Sequence, residues 1–139
     1  RYAGVLRALT ERGMTFDADR YYKTAHYSFE EGYTAMAELL RETSEITAVF
    51  AMADVMAIGA ARAVRDAGKR IPEDISLIGF DGLPICRYYE PRLSTVTQQI
   101  AFMAEKSYAV LLDMIENGSS AQHVLAPYTL EKTDSIRKN

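Results

Sequence analysis

Cysteine is almost absent. Cys86 is the only one in 139 residues, so no internal disulfide can form, and a reduced, cytoplasmic setting is favoured. Long apolar runs are absent too: the longest, residues 48–53, falls far short of the ~20 residues a membrane span needs. Arg1-Tyr2-Ala3-Gly4 carries no hydrophobic signal core. There is no basic surplus, because sixteen Lys and Arg against nineteen Asp and Glu leave a net charge of −3. That balance argues against a free-standing nucleic-acid binder. Repeats and low-complexity stretches are missing, as are a Gly-x-Ser-x-Gly elbow, a phosphate-cradling glycine loop and a dinucleotide fingerprint. His26 and His123 lie far apart and Cys86 has no ligand partner near it, so neither a zinc site nor a nucleophile–base set can be assembled. Cys86 reads as a packing residue.

What is present is a globular composition, 48% apolar and 25% charged, on a chain long enough for one domain with one core. Val5, Leu6 and Leu9 recur at helical spacing, with Gly13 as the stop. No start signal precedes them, so the sequence reads as cut from something longer. Residues 21–25 suit a short strand. Ser28-Phe29-Glu30-Glu31 is a capping box, and Tyr33, Met36, Ala37 and Leu40 share one face, which predicts a helix over 29–42. The apolar run 48–52 predicts a strand covered on both faces. Asp54 is the candidate N-cap of a helix over 55–66 that ends at Gly68.

Residues 71–74 are a loop and 76–80 a second buried strand. Asp81-Gly82 is a turn pair, 84–88 one helical turn, and 94–97 β-prone. A long helix over 100–116, with Ile100, Met103, Leu111 and Met114 inward, stops at Asn117-Gly118. A weak strand over 123–130, interrupted by Pro127, precedes a polar end, 131–139.

Apolar strands alternating with helices predict an α/β fold: a parallel sheet with helices on both faces. Such sheets bind ligands at the carboxyl ends of their strands. The rule selects His26-Tyr27, Ala53-Asp54 and Asp81-Gly82. Each has a plain reading beside the functional one. Asp54 can simply cap a helix, Asp81 can simply make a turn, and Tyr27 can simply pack. Alternatively, Asp54 contacts a ligand, the Asp81 carboxylate points into the crevice, and Tyr27 offers a flat amphipathic platform for a sugar or a base.

The segment Thr47-Ala48-Val49-Phe50-Ala51-Met52-Ala53-Asp54-Val55-Met56-Ala57-Ile58-Gly59-Ala60 resembles the "TAVFAxNDxMAxGA" stretch of the LacI/GalR regulator family. Arg70-Ile71-Pro72-Glu73-Asp74-Ile75-Ser76-Leu77-Ile78-Gly79-Phe80-Asp81-Gly82 resembles that family's "R-[VI]-P-x-D-[VI]-S-[VL]-[IV]-G-[FY]-D-[DN]". Arg87-Tyr88, Pro91, Leu93, Ser94-Thr95-Val96 and Gln98 are similar to its "A-R-Y-x-x-P-x-L-[ST]-T-[VI]-x-Q", and Glu31-Gly32-Tyr33-x-Ala35-Met36 and Arg1-x-x-Gly4 also fit.

The resemblance implies a periplasmic-binding-protein-like effector domain of type I, two α/β lobes closing over a small ligand, usually a sugar. Residues 1–94 would be its C-terminal lobe. Residues 95–139 would be a hinge crossing, a helix and a terminal strand belonging to an absent N-terminal lobe. DNA contact would run only through an absent N-terminal helix-turn-helix. By position, Arg1, Tyr27 and Asp81 match effector-binding residues, with Asp54 beside them. Ala57, Ile58, Tyr88 and Tyr89 sit where the family's dimers meet; the plain alternative is that they fill the lobe's own core. A homodimer is expected, with exchanged C-terminal tails as one arrangement, and weak or absent effector binding by a single jaw of the site. The family's Asn-Asp pair is Ala53-Asp54 here, which argues away from a standard hexose, and Gly82 replaces a second acid or amide. No cofactor, metal, membrane or catalysis is implied. The competing reading is a sugar-binding component of a transporter; a phosphoacceptor enzyme using Asp54 or Asp81 would need an acidic pair and a strand-end lysine that are not found.

Overall fold

The computed structural model describes residues 1–137. Helix α1 (Tyr2–Thr10) is followed by a single turn, α2 (Ala18–Tyr21), and by α3 (Phe29–Glu42). Strand β1 (Ala48–Phe50), helix α4 (Asp54–Asp66) and strand β2 (Ser76–Asp81) then form a β-α-β unit. A 3-10 turn over Pro84–Arg87 leads to β3 (Ser94–Gln98), α5 (Ile100–Asn117) and β4 (Tyr128–Glu131). The sheet order is β1-β2-β3-β4. The first three strands are parallel, with Phe50 opposite Ile78 and Asp81 opposite Thr97. The last strand is antiparallel, so the sheet is mixed rather than wholly parallel as expected.

Local chemistry explains several element ends. The Ser28 hydroxyl accepts the Glu31 N–H at 3.1 Å, one half of the expected capping box, while the Ser28 N–H donates to the His26 carbonyl at 2.8 Å rather than to Glu31. Gly118 closes α5 at φ +65, a left-handed cap that suits glycine. Helices α3 and α4 cross at van der Waals range because Gly32 and Gly59 face each other's backbone. A Cβ on Gly59 would overlap the Phe29 carbonyl, and one on Gly32 the Met56 main chain. The core gathers there and under β2: Met36, Leu39, Ala60, Ala61, Val64, Ile75, Leu77 and Leu93 are all buried.

Three expectations are corrected. Residues 21–25 are not a strand. Asp17 caps α2 by accepting the Arg20 N–H at 3.3 Å, and Tyr22 begins an extended segment without a ladder. That segment is tied to the end of α3 by side chains instead: Arg20 and the Tyr21 hydroxyl reach Glu45, and Lys23 reaches Glu42. A cavity of about 260 Å³ lies between residues 22–25 and β1, floored by Ala35, Met36 and Met56. Strand β1 is accordingly shorter than residues 48–52, and Ala48 is exposed. Asp54 does not cap α4; Ala53 is the N-cap and offers no side-chain bond.

The sheet itself runs on across residues 94 and 95. Strand β3 is paired on both sides, and the chain after β4 returns beneath it. Ser135, 1% exposed, donates its hydroxyl to the Leu77 carbonyl at 2.6 Å and accepts the Ser94 N–H at 2.7 Å. Helix α5 and the stretch after it stand clear of this body, and α1 likewise buries no residue. Helix α5 buries no residue, and Ile100 and Leu111 are 62% and 57% exposed. Among the described residues, no helix is long and apolar enough to cross a membrane. Of the polar end, Lys138 and Asn139 lie outside the described residues.

Candidate functional site

At the carboxyl end of β2 three of the expected residues converge. Arg1, immediately before α1, projects its guanidinium across the strand ends. One amino group donates to the Tyr27 hydroxyl at 3.0 Å and to the Met52 carbonyl. The other donates to Asp81 Oδ1 at 3.1 Å. The guanidinium carbon lies 4.0 Å from the centre of the Phe80 ring, a cation–π distance. Phe80 is itself held edge-on by Phe50, with centroids 6.4 Å apart. A planar group with fixed donors is thus laid on an aromatic floor, with an acceptor at each side.

Tyr27 is 66% exposed, so most of its ring is open for stacking. Asp81 is the single non-glycine residue among those described with positive φ, at +126. That sparsely populated conformation marks strain held in place by its surroundings. Gly82, at φ +79, continues the turn, and a Cβ there would overlap the Thr97 side chain. Backbone sign and close approach both call for glycine, which accounts for the departure from the family's pattern at this position.

The geometry adds Gln98, which the sequence reading held only as a motif letter. Its amide donates to Asp81 Oδ1 at 2.7 Å. The signal that could have found it is register: Thr97 pairs with Asp81, so the next residue of β3 reaches the same strand end.

Asp54 lies elsewhere. It is fully buried, its Oδ2 accepts the Leu83 N–H at 2.7 Å, and its Oδ1 accepts the Thr95 hydroxyl at 2.6 Å. A side chain so enclosed does not face the opening where Arg1, Tyr27 and Asp81 meet. The Cys86 thiol also points at it. Burial, with the neighbouring Asp54 carboxylate, pushes that thiol up to about 12.

The four expected dimer residues divide. Ala57 is fully buried in the core between α3, α4 and β2, so it has no surface to offer a partner. Ile58 and Tyr89 pack half-buried against that core, and the Tyr89 hydroxyl accepts from Arg65 at 2.7 Å. Tyr88 alone stands open, at 87% exposure.

Residues 1–136 match the family model of the periplasmic binding protein-like domain. The chain is 36% identical over 135 residues to the HTH-type transcriptional regulator MalR of Clostridium butyricum, covering 97% of this chain and 40% of that protein. It superposes on the structure of a transcriptional regulator CelR–cellobiose complex with a TM-score of 0.88 at 28% identity, covering 95% of this chain and 40% of that one. A LacI family transcriptional regulator from Enterococcus faecium with bound ribose gives 0.69 at 37% identity, covering 81% and 41%. The chain therefore spans about two fifths of the length of these relatives. It belongs to the periplasmic binding protein-like domain family, in the form carried by transcriptional regulators of the LacI family.

Proposed function

We propose that this chain is the effector-binding part of a bacterial, LacI-type DNA-binding regulator that works in the cytoplasm as a homodimer. It takes a sugar or a related small polar metabolite against Arg1, Tyr27 and Asp81, with Gln98 beside them. The observation that carries the reading is the convergence of those residues at the end of β2: a stacked guanidinium, an open phenol ring and a carboxylate within one hydrogen-bonded cluster. Ring faces suit the apolar side of a sugar, and fixed donors and acceptors suit its hydroxyls. That the matched proteins are regulators favours this over a transport component or an enzyme. Asp54 contributes no ligand contact in this proposal, because its carboxylate is enclosed.

The ligand would act by holding a second lobe against this one. Only contacts stronger in the closed state can shift that balance, and the shift would reset the spacing of DNA-reading headpieces. Helix α5 would meet that second lobe, or a second copy of the chain in its place. Tyr88, with the exposed edges of Ile58 and Tyr89, would extend the dimer contact.

Saturation-transfer NMR with ribose and with cellobiose tests the site. The chain should show weak binding, lost in Arg1→Ala and in Asp81→Asn. Equal signals from both variants would remove these residues from the site. Micromolar affinity for either sugar by calorimetry would overturn the two-lobe mechanism, since one jaw would then suffice.

A further inference from the structure

We infer that Asp54 is a positioning residue for the ligand site: from inside the core it holds Asp81 in the positive-φ conformation that presents its carboxylate to Arg1 and Gln98. The inference rests on the proposed reading of Asp81 as a ligand contact.

Asp81 is the last residue of β2, and the backbone must leave the sheet immediately after it. The next two amides are both fastened to one carboxylate. The Leu83 N–H donates directly to Asp54 Oδ2 at 2.7 Å. The Gly82 N–H donates to Thr95 Oγ1 at 3.3 Å, and that same hydroxyl donates to Asp54 Oδ1 at 2.6 Å. A hydroxyl that gives its proton to a carboxylate keeps lone pairs for the amide, so Thr95 relays the grip of Asp54 to Gly82. Residue 81 is bracketed between the β2–β3 ladder on one side and this clamp on the other. Hydrogen bonds to a charged acceptor are stronger than neutral ones, and two of them outweigh one strained backbone residue.

Two further observations fit a built clamp better than a helix end. Asp54 is the first residue of α4, where a carboxylate favours the helix dipole wherever it points. Here it points at another segment, twenty-nine residues away in sequence. In addition, Gly79 of β2 has no side chain where a Cβ would overlap Asp54 Oδ1 and press on Ala57, so the strand leaves room for the carboxylate.

The test is an NMR measurement on the isotope-labelled chain, free of ligand. The three-bond amide-to-α coupling of Asp81 should be small, as positive φ of this size requires. In Asp54→Asn and in Thr95→Val it should become large, as in ordinary extended backbone. Thr95→Ser keeps the hydroxyl and should keep the small coupling. A merely structural role would lower the melting temperature of all three and leave this coupling unmoved. An unchanged Asp81 coupling in folded Asp54→Asn overturns the inference; if that variant fails to fold, an unchanged coupling in Thr95→Val overturns it. The saturation-transfer signal from ribose should weaken roughly tenfold in Asp54→Asn, the loss expected when a charge-assisted contact is misplaced. A coupling that moves while ribose binding holds would confirm the clamp and remove Asp81 from the ligand site. The two failures are thus distinct.

Discussion

Cys86 is 3% exposed and shares the Asp54 carboxylate, and burial pushes its thiol from the usual 9 up to about 12. The folded protein therefore keeps a proton that the unfolded chain gives up. Its contribution to stability is complete below pH 9 and is lost as pH rises from 9 towards 12. Two outcomes follow. Iodoacetamide at pH 8 should leave the native protein unlabelled and label it in urea, read by mass spectrometry. The urea midpoint should fall between pH 9 and pH 11 in the parent, and less steeply in Cys86→Ala. At this scale the sequence was legible where a rule of topology applied. Tyr27 and Asp81 were selected because each was expected just past a strand; β2 does end at Asp81, whereas residues 21–25 form no strand. Asp54 was singled out too, but its direction depends on Leu83 and Thr95, which are remote in sequence. Ala57 was left open between a dimer face and the lobe's own core, and its full burial matches the second, which an alanine on an α4 face could not announce from sequence.

Between elements, glycine spacing sets how closely α3 and α4 approach, and side-chain pairs set where residues 20–25 sit. The cavity beside β1 lies under the extended segment that starts at Tyr22, whose Lys23 is paired with Glu42. Filling it should add stability. Ala35→Leu places three more carbons against Met36 and Met56 and should gain about 1 kcal/mol, in the usual range for cavity filling. The measurement is urea unfolding followed by circular dichroism; a loss of stability would show that the space cannot accept a branched side chain. Helices α3 and α5 were legible almost to the residue, since Ser28 and Gly118 are strong end signals with their own hydrogen bonds or backbone sign. Residues 21–25 were not, because propensity alone cannot tell a paired strand from extended chain whose ammonium and phenol groups find carboxylates first.

For the whole molecule, the β-α-β order of β1, α4 and β2 was readable from the sequence, whereas β1 is only half-buried where a strand covered on both faces was expected. The antiparallel direction of β4 was not readable, since nothing in a weak strand near Pro127 states which way it pairs. In the proposed homodimer the open apolar face of α5 is the surface available for association. Burying side chains such as Ile100 and Leu111 contributes roughly 1.5–3 kcal/mol each, and both stand open here. Sedimentation velocity should find a dimer at high concentration, and Ile100→Lys with Leu111→Glu should return it to monomer. A parent chain that stays monomeric while α5 is helical would end that expectation.

Helix α5 is moored at both ends to one sheet, through β3 before it and, after a loop, through β4 behind it. Its leading mooring is Gln98, the same residue that grips Asp81. If Asp81 takes a metabolite as proposed, tilting the helix should tug on that carboxylate, and by reciprocity a metabolite there should stiffen the root of the helix.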